Sequence, residues 1–113
     1  MANSFVNKKV DLTSTSATTL YTVPDATTAI VKSILVSEDS GNADTITVTI
    51  TDTSDAVFSL FKTKAISANA TTELLTAPLV LQQNEVLKVT AATANRLHVV
   101  LSALQSKPRE VIT

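Results

Sequence analysis

From residue 44 the chain reads DTITVTITDT, with Ile46, Val48 and Ile50 at every second position and Thr45, Thr47, Thr49 and Thr51 between them. A period of two marks an extended strand whose side chains alternate between opposite faces. One face is apolar and needs a core; the other is threonine alone. The same alternation returns in LKVTA, where Leu87, Val89 and Ala91 share a face, and in RLHVVLS, where Leu97, Val99 and Leu101 do.

Short runs rich in Val, Ile, Leu and Thr recur at spacings of about ten residues, the pattern of an all-β sandwich or barrel. The spacing predicts eight strands, at residues 5–12, 18–23, 29–37, 45–51, 57–66, 72–81, 86–91 and 96–104. Between them lie TSTSA, PDAT, EDSGNAD, DTSDA, SANA, QQNE and ATAN. Asn, Asp and Ser side chains bond to nearby backbone and tolerate turn geometry. That tolerance matters because Gly41 is the only glycine, so tight primed hairpins should be scarce. A helix competes only over TTELLTAPLVLQQNEVLKV, where Pro78 argues against it. The alternation supplies a core list: Ile46, Val48, Ile50, Leu87, Val89, Ala91, Leu97, Val99 and Leu101, joined by Val57, Phe61, Leu75, Leu79 and Leu81. The expected fold is therefore a single antiparallel β-sandwich of about eight strands, of jelly-roll or Greek-key type. One domain spans residues 1–113, with its core over about 11–104 and polar arms at 1–10 and 105–113.

Composition narrows what such a domain does. The chain is 44 % apolar, only 17 % charged, and carries a net charge of −1. Soluble domains average roughly 25 % charged residues, so this polar surface is made largely of Thr, Ser, Asn and Gln. No basic field attracts phosphates, and no aromatic-lined basic groove is present, so nucleic acid is not an expected partner. No run of some eighteen apolar residues is present for a membrane span. There is no cysteine, which excludes disulfides and thiolate metal sites and suits assembly in a reducing cytoplasm.

Candidate chemistry is sparse. His98, the only histidine, alternates with Arg96, Val100 and Ser102 on the face opposite Leu97 and Val99, which places it on the surface or in an interface. A general base would need an orienting acid and a nucleophile from elsewhere. The loop from Glu38 to Asp44 gathers three acids and an asparagine around Gly41. Its spacing does not follow the twelve-residue calcium loop, and a solvated turn is the expectation. Sugar binding would want an exposed aromatic platform; without tryptophan, Tyr21 is the candidate, with core or edge packing as the competing role. The basic doublets Lys8 with Lys9, Lys62 with Lys64, and Lys107 with Arg109 read as solvated edges that discourage stray strand pairing, or as contacts to an acidic neighbour. No catalytic, cofactor or metal residue is assigned.

Threonine is β-branched, suits strands, and can be covered by a neutral neighbour at modest desolvation cost if its hydroxyl finds a partner. With low charge and polar ends, this points to a subunit packed against copies of itself or neighbours. The candidate interface is Thr45, Thr47, Thr49, Thr51, Lys107 and Arg109.

Several blocks occur in a recurring order over residues 11–104: Leu20-Tyr21-Thr22-Val23-Pro24, an apolar strand enclosing Lys32-Ser33, the alternating Thr/Val strand, Pro78-Leu79-Val80-Leu81 followed by Val86-Leu87-Lys88-Val89, and Leu97-His98-Val99-Val100-Leu101. In this order the chain resembles the small β-sandwich virion structural proteins of tailed bacteriophages, of the cyanophage and marine-phage type. Gln83-Asn84-Glu85 departs from the Gly-Asp type of turn expected at that point. The resemblance implies a non-enzymatic virion component assembled in the host bacterial cytoplasm. The form favoured is a capsid decoration or cement protein, a homotrimer in contact with the major capsid protein or other virion proteins. A tail, neck or fibre subunit is the alternative, and a carbohydrate-binding module for host attachment a further one.

Overall fold

The structure, a computed structural model, describes residues 2–108. Among these residues there is no helix. Nine strands form: β1 (Ala2–Asp11), β2 (Thr18–Thr22), β3 (Thr28–Glu38), β4 (Asp44–Thr51), β5 (Val57–Ile66), β6 (Thr71–Glu73), β7 (Leu79–Leu81), β8 (Val86–Ala91) and β9 (Leu97–Lys107). They make two antiparallel sheets. The first runs β1-β9-β3-β6, with β7 also on β3; the second runs β2-β8-β4-β5. The core lies between them. Val31, Ile34, Val99 and Leu101 from the first sheet and Ile46, Val48, Leu87 and Val89 from the second are fully buried.

The alternation placed most of the core correctly. Ala91, Leu97 and Leu81 are buried as well, while Ile50, Phe61, Leu75 and Leu79 pack against the cluster only in part. Val57 does not join it: it is 62 % exposed. Register explains this, because Val57 pairs with Thr51 and directly opposed residues share a face. Thr51 belongs to the outward threonine row, so Val57 follows it outward.

One long strand at 72–81 is not what forms. β6 pairs with Leu35, Val36 and Ser37, β7 pairs with Ala29, Ile30 and Val31, and the chain between them leaves the sheet. Pro78 has no N–H for a ladder, and β3 itself shifts register against β9 between Val31 and Ser33. The break is sealed by Glu73, whose carboxylate accepts the Ser33 hydroxyl, the Ile34 N–H at 2.8 Å and the Leu75 N–H at 3.3 Å. Leu74 N–H donates to the Ile34 carbonyl, and its side chain turns into the core.

The expected arms are also corrected. Residues 2–10 are no free extension: β1 pairs residue for residue with β9, from Ala2 against Lys107 to Asp11 against His98. Gln105 is likewise structural, its Nε2–H donating to the Tyr21 hydroxyl at 2.6 Å. The strand expected at 5–12 does form, but it starts at Ala2, because backbone pairing needs no side-chain alternation and polar residues on an outer edge leave little trace in a hydrophobicity pattern. Truncation before Gln105 therefore cuts the sheet.

Turn geometry follows the scarcity of glycine. Asp55, Asn69, Asn84 and Asn95 take left-handed conformations with φ of 58–65°, the role that short Asx side chains fill at lowest cost. Asn84 thereby supplies what Gly would have supplied in Gln83-Asn84-Glu85.

Candidate interaction surfaces

β4 is held between β8 and β5, so its threonine row lies mid-sheet on the outer side. Thr45, Thr47, Thr49 and Thr51 are each half-buried by flanking side chains, while Ile46 and Val48 point into the core. Their cross-strand partners are Thr90, Lys88 and Val86 on β8 and Ala65, Ser59 and Val57 on β5. These partners are thus neutral apart from Lys88. Thr47 is used internally as well: its Oγ1 accepts the Thr63 N–H at 3.0 Å. That bond holds a kink, for β5 slips register between Ile46 and Val48 and again between Val48 and Thr49. Thr63 sits there with φ of 51°, a conformation costly for a β-branched residue. Thr63→Gly is expected to raise stability by about 1 kcal/mol, read as a higher denaturant midpoint at unchanged slope.

The outer face of the first sheet holds a surface that the sequence pattern did not single out. Phe5 pairs with Leu104, Leu104 with Ile30, and Ile30 with Val80. These four residues form one apolar row crossing β1, β9, β3 and β7. Phe5 is 82 % exposed and Val80 52 %, with Leu104 and Ile30 half-buried between them. Neutral polar residues flank the row, with Asn3, Ser106 and Thr28 on one side and Asn7, Ser102 and Ser33 on the other. The trace available in the sequence was the apolar character of both faces of AIVKSILV, which reads equally as a central strand.

A third apolar feature lies beside β5. Leu60 and Phe61 border a groove closed by Leu74, Leu75, Pro78 and Leu79, and Phe58 beside it is exposed.

Several acidic groups and the histidine are tied up in structure. Glu38, which the sequence placed in a solvated turn, is buried. Its Oε1 accepts the N–H groups of Gly41, Asn42 and Asn69 at 3.0, 3.1 and 3.1 Å; its Oε2 accepts Ser40 N–H at 2.9 Å and the Ser40 hydroxyl. Burial pushes this carboxyl up, but the Ser40 hydroxyl and the Asn69, Ser40 and Gly41 amides outweigh it and hold the pKa at about 2. The carboxylate thus acts as the anchor of its own loop, its oxygens committed to donors. Asp44, also buried, accepts Thr93 N–H at 3.1 Å. Asp52 closes the β4–β5 hairpin by accepting the Ser54 hydroxyl and the Ala56 and Ser54 amides, which lower its pKa. His98 lies between two carboxylates, Nδ1 at 3.2 Å from Asp11 and Nε2 at 3.1 Å from Asp39. It ties the end of β1 to the β3–β4 loop, in exposed contacts worth at most about 1 kcal/mol each. Among the described residues no group of three or more His, Cys, Asp or Glu is placed to hold a metal ion.

Tyr21 is 2 % exposed and offers no platform; Lys8 Nζ lies 6.0 Å from its ring centroid. Lys107 ends β9 opposite Ala2 and is exposed, on a different sheet from the threonine row. The structure therefore does not bring Lys107 to the threonine row, and Arg109 lies outside the described residues.

No protein-family model and no curated protein matches the chain. Among solved structures, one describing Bacillus endospore appendages as a novel family of disulfide-linked pili superposes with a TM-score of 0.54 at 11 % identity, over 96 % of this chain and 93 % of that one. The cyanophage Pam1 capsid asymmetric unit superposes at a TM-score of 0.45 and 19 % identity, over 94 % of this chain and 85 % of that one. At 11 % identity the first likeness is one of fold, and a superposition below 0.5 establishes neither a shared function nor a shared assembly.

Proposed function

We propose that the protein is a non-enzymatic structural subunit of a bacteriophage virion, and within it a capsid decoration or cement protein that braces the shell by contacts with the major capsid protein. The observation that carries this reading is the chemistry of the two outer faces. One holds a half-buried threonine row whose cross-strand partners are neutral but for Lys88, the other an apolar row flanked by neutral polar residues. Surfaces so poor in charge lose little on being covered by a neighbour, and repetition around a particle multiplies weak contacts into avidity.

Strand order adds support. With β6 and β7 counted as one interrupted strand, the sheets run 1-8-3-6 and 2-7-4-5, the order of a jelly roll, an architecture common in viral capsids. The order of sequence blocks shared with small phage virion proteins points the same way. The Bacillus pili are disulfide-linked; this chain has no cysteine, so its own assembly would do without disulfides.

Locating and counting the protein in an image of the parent particle tests the reading. Hundreds of copies on the shell are expected. A dozen or fewer at the neck or tail would favour a tail, neck or fibre role, and absence from purified particles would overturn the proposal. The carbohydrate-binding alternative loses its platform with Tyr21 buried; a glycan array showing no binding is the expected result.

A further inference from the structure

A sandwich has four sheet edges, and three of them here are blunted. β5 is kinked at two register shifts and carries Lys62 and Lys64. β2 is five residues long and irregular between Thr19 and Tyr21. The β6/β7 edge is two three-residue strands separated by a break at Pro78. These are the devices by which proteins prevent edge-to-edge pairing. β1 differs: it runs for ten residues in unbroken register with β9, its only paired neighbour among the described residues.

Which backbone groups β1 leaves free can be read from the ladder. Leu12 N–H donates to the Leu97 carbonyl, continuing the β1–β9 register, and in an antiparallel pair this orientation alternates. Even-numbered residues of β1 therefore face β9, while Asn3, Phe5, Asn7 and Lys9 point their N–H and C=O groups outward. Phe5, at the free edge, also ends the apolar row at 82 % exposure.

We propose that β1 is a self-association edge, pairing antiparallel with β1 of a second copy about a two-fold axis through Phe5. The two Phe5 residues become directly opposed cross-strand partners, and Asn3 faces Asn7 of the other copy on either side. The apolar row then continues unbroken across both chains, from Val80 through Ile30, Leu104 and Phe5 to the same residues in reverse. Continuity of the apolar row selects this register, and charge disfavours those shifted toward the lysines. Centred on Phe5, the two Lys9 side chains lie about 26 Å apart; centred on Lys8 or Lys9, like charges would stand opposite each other, which is destabilising. A two-fold is also the arrangement in which an unblunted edge meets another unblunted edge. It replaces the three-fold that the resemblance implies; in a three-fold built by edge pairing, β1 would have to meet one of the blunted edges.

Sedimentation velocity and light scattering on the full chain test this. Wild type is expected to be a dimer. Phe5→Lys, which puts two charges on the axis, should give a folded monomer, as should Asn7→Pro, which removes a free-edge N–H without touching the β9 ladder. Because the chain has no cysteine, Phe5→Cys offers a geometric check. Paired Cα atoms about 5.5 Å apart permit a disulfide, so mild oxidation should link the chains, whereas Lys9→Cys should stay unlinked. A monomeric or trimeric wild type, or a dimer indifferent to Phe5→Lys and Asn7→Pro, would overturn the proposal.

Discussion

Leu101→Ala is expected to destabilise the fold by about 2–5 kcal/mol, lowering the melting temperature by roughly 10–20 °C. Leu101 is fully buried on β9, paired with Ile34 on β3, at the centre of the first sheet's inner face. Truncation removes apolar contact and leaves a cavity that two sheets pinned by their ladders cannot close. Val57→Ala is the matched control. Both residues sit at inward positions of an alternating pattern in the sequence, but Val57 is 62 % exposed, so its loss should stay within about 0.5 kcal/mol. Denaturant titrations of the two variants measure this; equal effects would mean that the register of β5 against β4 is wrong.

The second large effect is expected at Glu38. Its carboxylate gathers donors from its own turn and, through Asn69, from the β5–β6 turn. Glu38→Ala removes the one acceptor that four part-buried amides share, a costly outcome, and should lower the melting temperature more than Asp52→Ala does. The pH dependence has a definite sign. Held at about 2 in the folded state against an ordinary value of 4.5, Glu38 contributes stability that is fully present above pH 4.5 and is lost as the pH falls toward 2. Asp52, also lowered, adds to the same acid loss. Calorimetry between pH 6 and 2 should therefore show a declining melting temperature in wild type and a flatter profile in Glu38→Gln. An unchanged slope in that variant would place the acid sensitivity elsewhere.

The two residues also mark where the sequence stopped being informative. Leu101 was legible because its neighbours alternate, and alternation is a local consequence of strand geometry. β8 was legible for the same reason, down to its end residues, and β5 matched its expected ends as a run of strand-forming residues without alternation. Glu38 was not, because the amide that completes its shell belongs to Asn69, thirty-one residues away; nothing local separates a buried anchor from a solvated acid. Val57 failed because facing is set by its partner Thr51, and a one-residue slip reverses every side chain. The interface candidates divide similarly. The threonine row was visible as a pattern, whereas the row from Phe5 to Val80 joins four strands distant in the chain.

The sequence by itself determined the all-β class, the positions of most strands, most of the inward-facing residues and the low charge of the surface. Each follows from local periodicity or composition, which survive in an unpaired chain. Tertiary structure alone decided the sheet order, the extension of the first strand back to Ala2, the split of β6 from β7, and which edge was left open. Those depend on hydrogen bonds between segments far apart in the chain, whose donors and acceptors are the same in every residue but proline and so carry no mark in the sequence.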